Sequence, residues 1–200
     1  LQDVYTLSGK DALEVVIDYA DADSALRVSK HFAFEPGSHI IGVHYTITNI
    51  AAGAAQLTPF VQLKRDSSPA PVPSDAGMGM QPFLGSALTQ PDQRFTKFDF
   101  EDMAEDPFRA DLTGGWIAML QHYFVSAWVP DPDNTYRFRT RQTRSGDNII
   151  GYTGPAMIIA SGETTTISNQ LYVGPKNQSV LADLATHLDL VVDYGWLWSV

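Results

Sequence analysis

The fold of this chain is decided by one stretch, Gly114-Gly115-Trp116-Ile117-Ala118-Met119-Leu120-Gln121-His122-Tyr123-Phe124. Its two leading glycines allow another backbone segment to approach closely. The apolar run that they open continues to Val129 and predicts two buried strands or one bulged strand. Four aromatic side chains in this run can each remove a large apolar area from water: Trp116, Tyr123, Phe124 and Trp128. On physical grounds alone, the segment belongs to a protein core.

Alternation of apolar and polar side chains extends the strand pattern to both sides of this stretch. In 13–19 and 41–48 the apolar residues fall at every second position, which is typical of half-buried strands. Turn sequences rich in Gly, Pro, Asp and Ser separate the candidate strands, and many short strands at this spacing predict a mainly β fold, a sandwich. Further strands are predicted at 25–35, 56–65, 83–88, 94–100, 116–121, 123–129, 135–144, 148–153, 156–160 and 163–173.

Outside the strands, the sequence predicts one helix and one irregular loop. The helix covers about 177–187 and follows Pro175. A shorter helical turn is predicted near 101–105, and prolines and glycines make 67–82 an irregular loop. The main helix should pack on the sandwich through an apolar stripe formed by Val180, Leu181, Leu184 and Leu188.

Length and composition are those of one large β domain covering 1–200. Of the 200 residues, 44% are hydrophobic and 18% charged, which is enough to bury a core without disulfides, and cysteine is absent. A net charge of −10, from 23 acidic and 13 basic side chains, disfavours nucleic acid and anionic lipid headgroups as partners. No apolar run approaches the roughly 18 residues of a membrane span, and no signal peptide is evident.

One basic stripe departs from the acidic character of the chain. Arg137, Arg139 and Arg141 fall at every second position, with Tyr136 and Phe138 on the opposite face of the predicted strand. One interpretation is a solvated strand face beside acidic neighbours. The other is a small contact patch for an acidic partner.

Residue types that carry chemistry are present, but they are not grouped along the sequence. His39 and His44 are five positions apart on a predicted strand and should point to opposite faces, whereas His31 lies on another strand. We therefore expect no metal site. The sequence contains no nucleophile elbow and no glycine-rich phosphate loop, so we expect no catalytic residues and no cofactor.

Two further histidines have structural interpretations. Asp183 and His187 are four positions apart on the predicted helix and are expected to form an ordinary helix pair. His122 lies in the densest aromatic stretch and is expected to be a half-buried, neutral histidine. A catalytic His122 would require a carboxylate partner, for which Glu163 is the best distant candidate.

The segment 188–200 is expected to be a membrane-proximal tail. Tryptophan and tyrosine accumulate where proteins meet the bilayer interface, and this segment is rich in both. Aromatic side chains are also frequent in protein interfaces. The residues considered for partner or membrane-interface contact are Trp116, Tyr123, Trp128, Tyr194, Trp196 and Trp198.

Three segments carry a family resemblance. They are the opening stretch 114–124, then Leu171-Tyr172-Val173-Gly174-Pro175-Lys176, then Leu188-Asp189-Leu190-Val191-Val192-Asp193-Tyr194-Gly195-Trp196-Leu197-Trp198. In this order they resemble the end of the large periplasmic domain in the YidC branch of the YidC/Oxa/Alb insertases. The resemblance implies a periplasmic β-supersandwich, similar to galactose mutarotase, with a C-terminal helix, in a Gram-negative inner-membrane protein.

The same resemblance implies a function. It points to a non-enzymatic scaffold that docks the SecD/SecF subunits beside the Sec translocon, with nascent membrane proteins handled by the full-length parent. The family places that contact near the middle of the domain, which corresponds to 77–129 here. The alternative is a carbohydrate-binding or mutarotase-like domain, which would require a carboxylate base and an imidazole acid in one cleft. The opening strands of the family domain are missing from this sequence, so we also expect an unpaired sheet edge.

Overall fold

Strands form most of the structure, a computed structural model that describes residues 2–8, 12–19, 24–69 and 83–192. The described strands are β1 (Gln2–Ser8), β2 (Ala12–Tyr19), β3 (Leu26–Phe34), β4 (Ile40–Asn49), β5 (Ala55–Leu57), β6 (Phe60–Arg65), β7 (Gly85–Leu88), β8 (Thr96–Phe98), β9 (Arg109–Thr113), β10 (Ile117–Leu120), β11 (Phe124–Val129), β12 (Thr135–Gln142), β13 (Asn148–Thr153), β14 (Met157–Ile159) and β15 (Thr164–Pro175). The helices are α1 (Phe100–Glu105), α2 (Gln178–Leu184) and a 3₁₀ helix at Leu188–Val191. Most of the predicted loop 67–82 lies outside the described residues.

These strands form two main antiparallel sheets. The larger sheet has nine strands in the order β1-β2-β3-β4-β15-β11-β10-β7-β8, and the smaller has four in the order β6-β13-β12-β9. A separate pair joins β14 to β5. The mainly β sandwich with a helix near its C-terminal end is confirmed.

The first core lies between the two main sheets. The larger sheet contributes Val43, Ile117 and Trp128 to it, and the smaller sheet contributes Phe138 and Tyr152. The Phe138 and Tyr152 rings lie 5.5 Å apart, centroid to centroid, in a tilted contact that is typical of packed aromatic side chains. Every second residue of the central strands therefore points into this layer.

The second core lies on the opposite face of the nine-stranded sheet. The intervening residues of β10 and β11, such as Ala118 and Ala127, point there and meet Leu181 of α2 and Leu188 of the 3₁₀ helix. Trp116 is fully buried in this layer, and its indole Nε1 donates to the carbonyl oxygen of Thr186 at 3.1 Å. Strand β10 is thus buried on both faces.

The two leading glycines behave as their sequence predicts. Gly114 and Gly115 have φ values of 65° and 87°, a backbone region that side chains with a Cβ rarely adopt. A Cβ on Gly114 would lie 2.9 Å from the carbonyl oxygen of Pro132. The close backbone approach therefore fixes the start of β10.

Both predicted helices are present, with shifted ends. The Asp99 carboxylate accepts from the backbone N–H of Asp102 at 2.8 Å, which caps α1 and confirms the turn near 101–105. In α2, Asn177 is the N-cap, and the helix ends at Leu184 instead of continuing to 187. No helix in the described part of the chain is both long and apolar enough to cross a membrane.

The strand predictions fail at three places. The run 56–65 is divided into β5 and β6, because Thr58 and Pro59 interrupt the pairing. Strand β9 was not predicted, since only Ala110 and Leu112 point inward in its five residues. Strand β1 was also not predicted and forms one edge of the larger sheet, beside β2.

We expect Trp116→Ala to lower the free energy of unfolding by about 3–5 kcal/mol, because it empties a large buried volume and leaves the Thr186 carbonyl without its donor. Urea unfolding followed by circular dichroism measures this change. Ile158→Ala is the control, since that side chain is 76% exposed and its loss should change the free energy by no more than about 0.5 kcal/mol. Equal effects of the two substitutions would contradict a core position for Trp116.

Candidate interaction surface

The structure separates the aromatic residues that the sequence grouped as contact candidates. Trp116 and Trp128 are buried in the two cores, so neither ring is available at the surface, and the prediction of partner contact is corrected for both. Tyr123 is 63% exposed. The remaining three candidates, Tyr194, Trp196 and Trp198, lie outside the described residues, and their contact role stays a prediction.

Tyr123 belongs to a surface that we call the aromatic tip, formed by Tyr123 and Phe124 of the β10–β11 hairpin and Val173 of β15. Their exposed fractions are 63%, 54% and 47%. Phe124 pairs with Pro175, and Ser126 pairs with Val173, so Phe124 and Val173 are diagonal neighbours on one face of the sheet. Phe124 and Val173 therefore expose neighbouring apolar side chains, and Tyr123 adds a third exposed side chain next to Phe124 in the chain.

Backbone hydrogen bonds hold the aromatic tip in place. The N–H of Gln121 donates to the carbonyl oxygen of Phe124 at 3.0 Å and closes the hairpin turn. The N–H of Lys176 donates to the carbonyl oxygen of Tyr123 at 2.9 Å and ties the turn to the end of β15. Because these bonds fix the backbone, the backbone of the aromatic tip would lose little conformational entropy on binding a partner.

His122 is part of the same turn, and its environment differs from the prediction. The side chain is exposed instead of half-buried, and its ring contacts Tyr123 edge to face with centroids 3.9 Å apart. Among the described residues, neither His122 nor Glu163 takes part in an ion pair. The pair that a His122-based acid–base mechanism would require is therefore not formed.

A second apolar surface lies where the nine-stranded sheet extends past the smaller sheet. A groove of about 540 Å³ runs along β3 and β4, with Val28, Tyr45 and Ile47 on one side and Phe60 of β6 on the other. The Lys30 ammonium lies 5.2 Å from the Tyr45 ring centroid, a cation–π distance. The sequence pattern indicated an apolar face here but not that the face stays partly open.

A smaller cavity of about 210 Å³ lies between the sheets beside Tyr136, Tyr152 and Asn169. The Tyr152 hydroxyl donates to Asn169 Oδ1 at 2.7 Å. Burial raises the pKa of Tyr152 well above its ordinary value, because the phenolate would lose its solvation there. Sequence reasoning did not find this pair, since its members lie on different sheets.

At Arg137, the first residue of the arginine stripe, the structure favours the interpretation as a solvated strand face beside acidic neighbours. Arg137 binds Asp111 of β9 through two hydrogen bonds, Nε to Oδ1 at 2.8 Å and Nη2 to Oδ2 at 3.1 Å. The hydrogen bond from Arg137 holds the pKa of Asp111 below its usual value. Arg139 and Arg141 are exposed on the same face, and Arg139 pairs with Arg109 across the strands.

The remaining histidine predictions require two corrections. His187 follows the end of α2 in a left-handed conformation with φ 68°, so the predicted helix pair with Asp183 does not form. His31 and His44 are direct partners across β3 and β4, and their rings stack with centroids 4.3 Å apart. The expectation that the histidines are scattered was therefore wrong for this pair.

The two-sheet architecture places the chain in the class of galactose mutarotase-like β-sandwich domains. It resembles a galactose mutarotase related enzyme from Lactobacillus acidophilus with a TM-score of 0.51 and 6% identity, covering 87% of this chain and 71% of the other. It resembles the GH36 alpha-galactosidase AgaA from Geobacillus stearothermophilus with a TM-score of 0.63 and 8% identity, covering 90% of this chain and 27% of the other. At such low identity, the likeness shows the fold alone.

Sequence comparison then gives the family. The model of the YidC periplasmic domain matches residues 2–200, so the chain belongs to the YidC periplasmic domain family. The membrane protein insertase YidC of Marinomonas sp. is 43% identical over 97% of this chain and 35% of its own length. The insertase YidC of Pseudoalteromonas atlantica is 38% identical over 100% of this chain and 36% of its own length. The chain thus spans about a third of the length of these relatives, which are named membrane protein insertases.

We expect Tyr152→Phe to lose less unfolding free energy than the wild type as the pH rises into the alkaline range. The raised pKa of folded Tyr152 means that the unfolded state ionises first, so wild-type stability falls as pH rises above about 10. Near neutral pH the variant should be about 1 kcal/mol less stable, because the hydrogen bond to Asn169 is lost. Urea unfolding between neutral pH and about pH 11 should therefore show the gap between variant and wild type narrowing.

Tyr123→Phe is the matched control for this measurement. It also removes one phenol hydroxyl, but from a side chain that is 63% exposed instead of buried, and we expect a constant difference in unfolding free energy from the wild type across the same pH range. A constant gap between Tyr152→Phe and wild type across the alkaline range would contradict the burial of the Tyr152 hydroxyl.

Proposed function

We propose that this chain is a non-enzymatic periplasmic module of a Gram-negative inner-membrane protein insertase, acting as a scaffold that docks the SecD/SecF accessory subunits. The observation that carries the proposal is the aromatic tip. In the described part of 77–129, where the family resemblance places this contact, the exposed large hydrophobic residues are Tyr123 and Phe124.

The chemistry of the aromatic tip suits a protein partner. Tyrosine and phenylalanine supply large contact areas with few rotatable bonds, and tyrosine is frequent among the residues that dominate binding energy. The net charge of −10 disfavours nucleic acid and anionic lipid as alternative occupants. Docking would transfer apolar surface from water into an interface, which is the main driving force of such associations.

The rest of the proposed arrangement concerns the full-length parent. Within it, the module would stand beside the Sec translocon while nascent membrane proteins are inserted and folded. The beginning of the predicted tail packs into the second core, where Leu188 and Val191 are buried. We therefore propose bilayer contact only for the residues beyond 192, with Tyr194, Trp196 and Trp198 at the interface, because these side chains prefer that depth. A carbohydrate-binding role has no comparable support, since the likeness to sugar-processing proteins extends only to the fold.

Replacement of both exposed tip aromatics, Tyr123→Ser with Phe124→Ser, is expected to weaken binding to detergent-solubilised SecD/SecF by at least about tenfold. Loss of two exposed anchors removes apolar contact area, and about 1.4 kcal/mol is sufficient for that factor. Fluorescence anisotropy of the labelled domain, titrated with the complex, measures the dissociation constant.

Two matched controls separate the tip from general surface hydrophobicity. Ile158→Ser and Phe60→Ser change side chains that are 76% and 60% exposed but lie on other strands, and both variants should bind like the wild type. Urea unfolding checks that all variants remain folded. Undiminished binding by the double variant, or equal losses in the controls, would remove the aromatic tip as the docking surface.

A further inference from the structure

Three polar side chains from three adjacent strands meet on the outer face of the nine-stranded sheet. They are Glu14 of β2, His31 of β3 and His44 of β4. His31 pairs directly with His44, and Glu14 pairs with Ala33, two residues along β3 on the same face. The neighbouring residue Val43 points into the core between the sheets, so His44 points away from it. Strand register, not proximity in sequence, creates this group.

The distances within the group are short. The Glu14 Oε1 atom lies 2.8 Å from Nδ1 of His31 and 3.8 Å from Nε2 of His44. One ligand atom from each of the three side chains can be chosen so that all lie within 4.8 Å of one another. The exposed side-chain fractions are 30% for Glu14, 20% for His31 and 34% for His44. The group is therefore partly shielded yet open to a solute.

The distances of 2.8 and 3.8 Å from Glu14 to the two imidazoles lie on either side of the ligand-to-ligand distance that a tetrahedral metal ion requires. Zinc bonds to imidazole nitrogen and carboxylate oxygen of about 2.0–2.2 Å place neighbouring ligand atoms roughly 3.4 Å apart. The two rings are nearly parallel, at 12°, so their nitrogen lone pairs run side by side. A rotation of one ring about its Cβ–Cγ bond would make them converge, and the partial exposure leaves room for it.

The donor set also selects the kind of ion. Two imidazoles with one carboxylate suit zinc and neighbouring divalent transition metals, whereas magnesium and calcium require mostly oxygen ligands. Three protein ligands leave one position for water, the arrangement of an open zinc site.

We propose that Glu14, His31 and His44 bind a divalent transition-metal ion, best matched by Zn²⁺, that links β2, β3 and β4. Such an ion would crosslink three adjacent strands toward the β1 edge of the larger sheet, on the face opposite the smaller sheet. This site is independent of the proposed docking role of the aromatic tip, because it lies on other strands and uses other side chains.

The test is a titration of the purified chain, freed of any affinity tag, with ZnCl₂ by isothermal calorimetry. We expect one ion per chain and no competition from excess Mg²⁺. His44→Gln (H44Q) and Glu14→Gln should each weaken Zn²⁺ binding by more than the roughly 10–100-fold that is lost when a residue that only hydrogen-bonds to a metal ligand is replaced. The matched controls are H39Q and H122Q, which change exposed histidines outside the group and should leave the affinity unchanged.

A second measurement uses only the wild-type chain and therefore does not depend on whether a variant folds. In histidine-ring NMR spectra of the wild-type chain, Zn²⁺ should shift the resonances of His31 and His44 together at one equivalent, before those of His39 and His122. Absence of Zn²⁺ uptake overturns the proposal. So does binding that survives both H44Q and Glu14→Gln, or a first shift at His39 or His122.

Discussion

Burial of the central strands on both faces is the constraint on which the rest of the structure depends. Every residue of β10 is buried, because the smaller sheet covers one face of the nine-stranded sheet and α2 with the 3₁₀ helix covers the other. A polar side chain on either face of such a strand costs free energy unless it finds a hydrogen-bond partner in the core. The apolar run 116–120 therefore fixes both which strands stand at the centre and where the helix must pack.

The smaller sheet and the helical layer of α2 and the 3₁₀ helix each cover only part of the nine-stranded sheet, and the uncovered parts are the candidate interaction surfaces. At the hairpin that follows β10, neither the smaller sheet nor the helical layer covers the chain. The aromatic tip is therefore exposed within a few residues of a fully buried strand. Toward β2 and β3, the smaller sheet ends, so apolar side chains such as Leu13 and Tyr19 remain partly in water. The outer face of the same strands is polar and holds Glu14, His31 and His44. Each candidate site therefore lies where the smaller sheet or the helical layer no longer covers the nine-stranded sheet.

The shared architecture and the different chemistry of its relatives follow from the same arrangement. Sandwich packing depends on alternation and volume, which many sequences satisfy, so a fold can persist at 6–8% identity to sugar-processing proteins. Function depends instead on particular side chains at positions that the smaller sheet and the helical layer leave exposed. In this chain, Tyr123 and Phe124 are exposed beside the buried strand β10, and His122 in the same turn forms no ion pair with a carboxylate among the described residues.

The sequence by itself determined the mainly β sandwich, most strand positions, the close approach at Gly114 and the family, because alternation, turn chemistry and the aromatic segments are local signals. It could not determine which aromatic residues are exposed. Trp116 and Tyr123 lie in the same stretch, yet Trp116 is buried in the second core and Tyr123 is exposed. Packing between elements that are distant in sequence decides which side chains are covered. It also could not bring His31 to His44, since the register between strands is set by tertiary pairing and not by spacing along the chain.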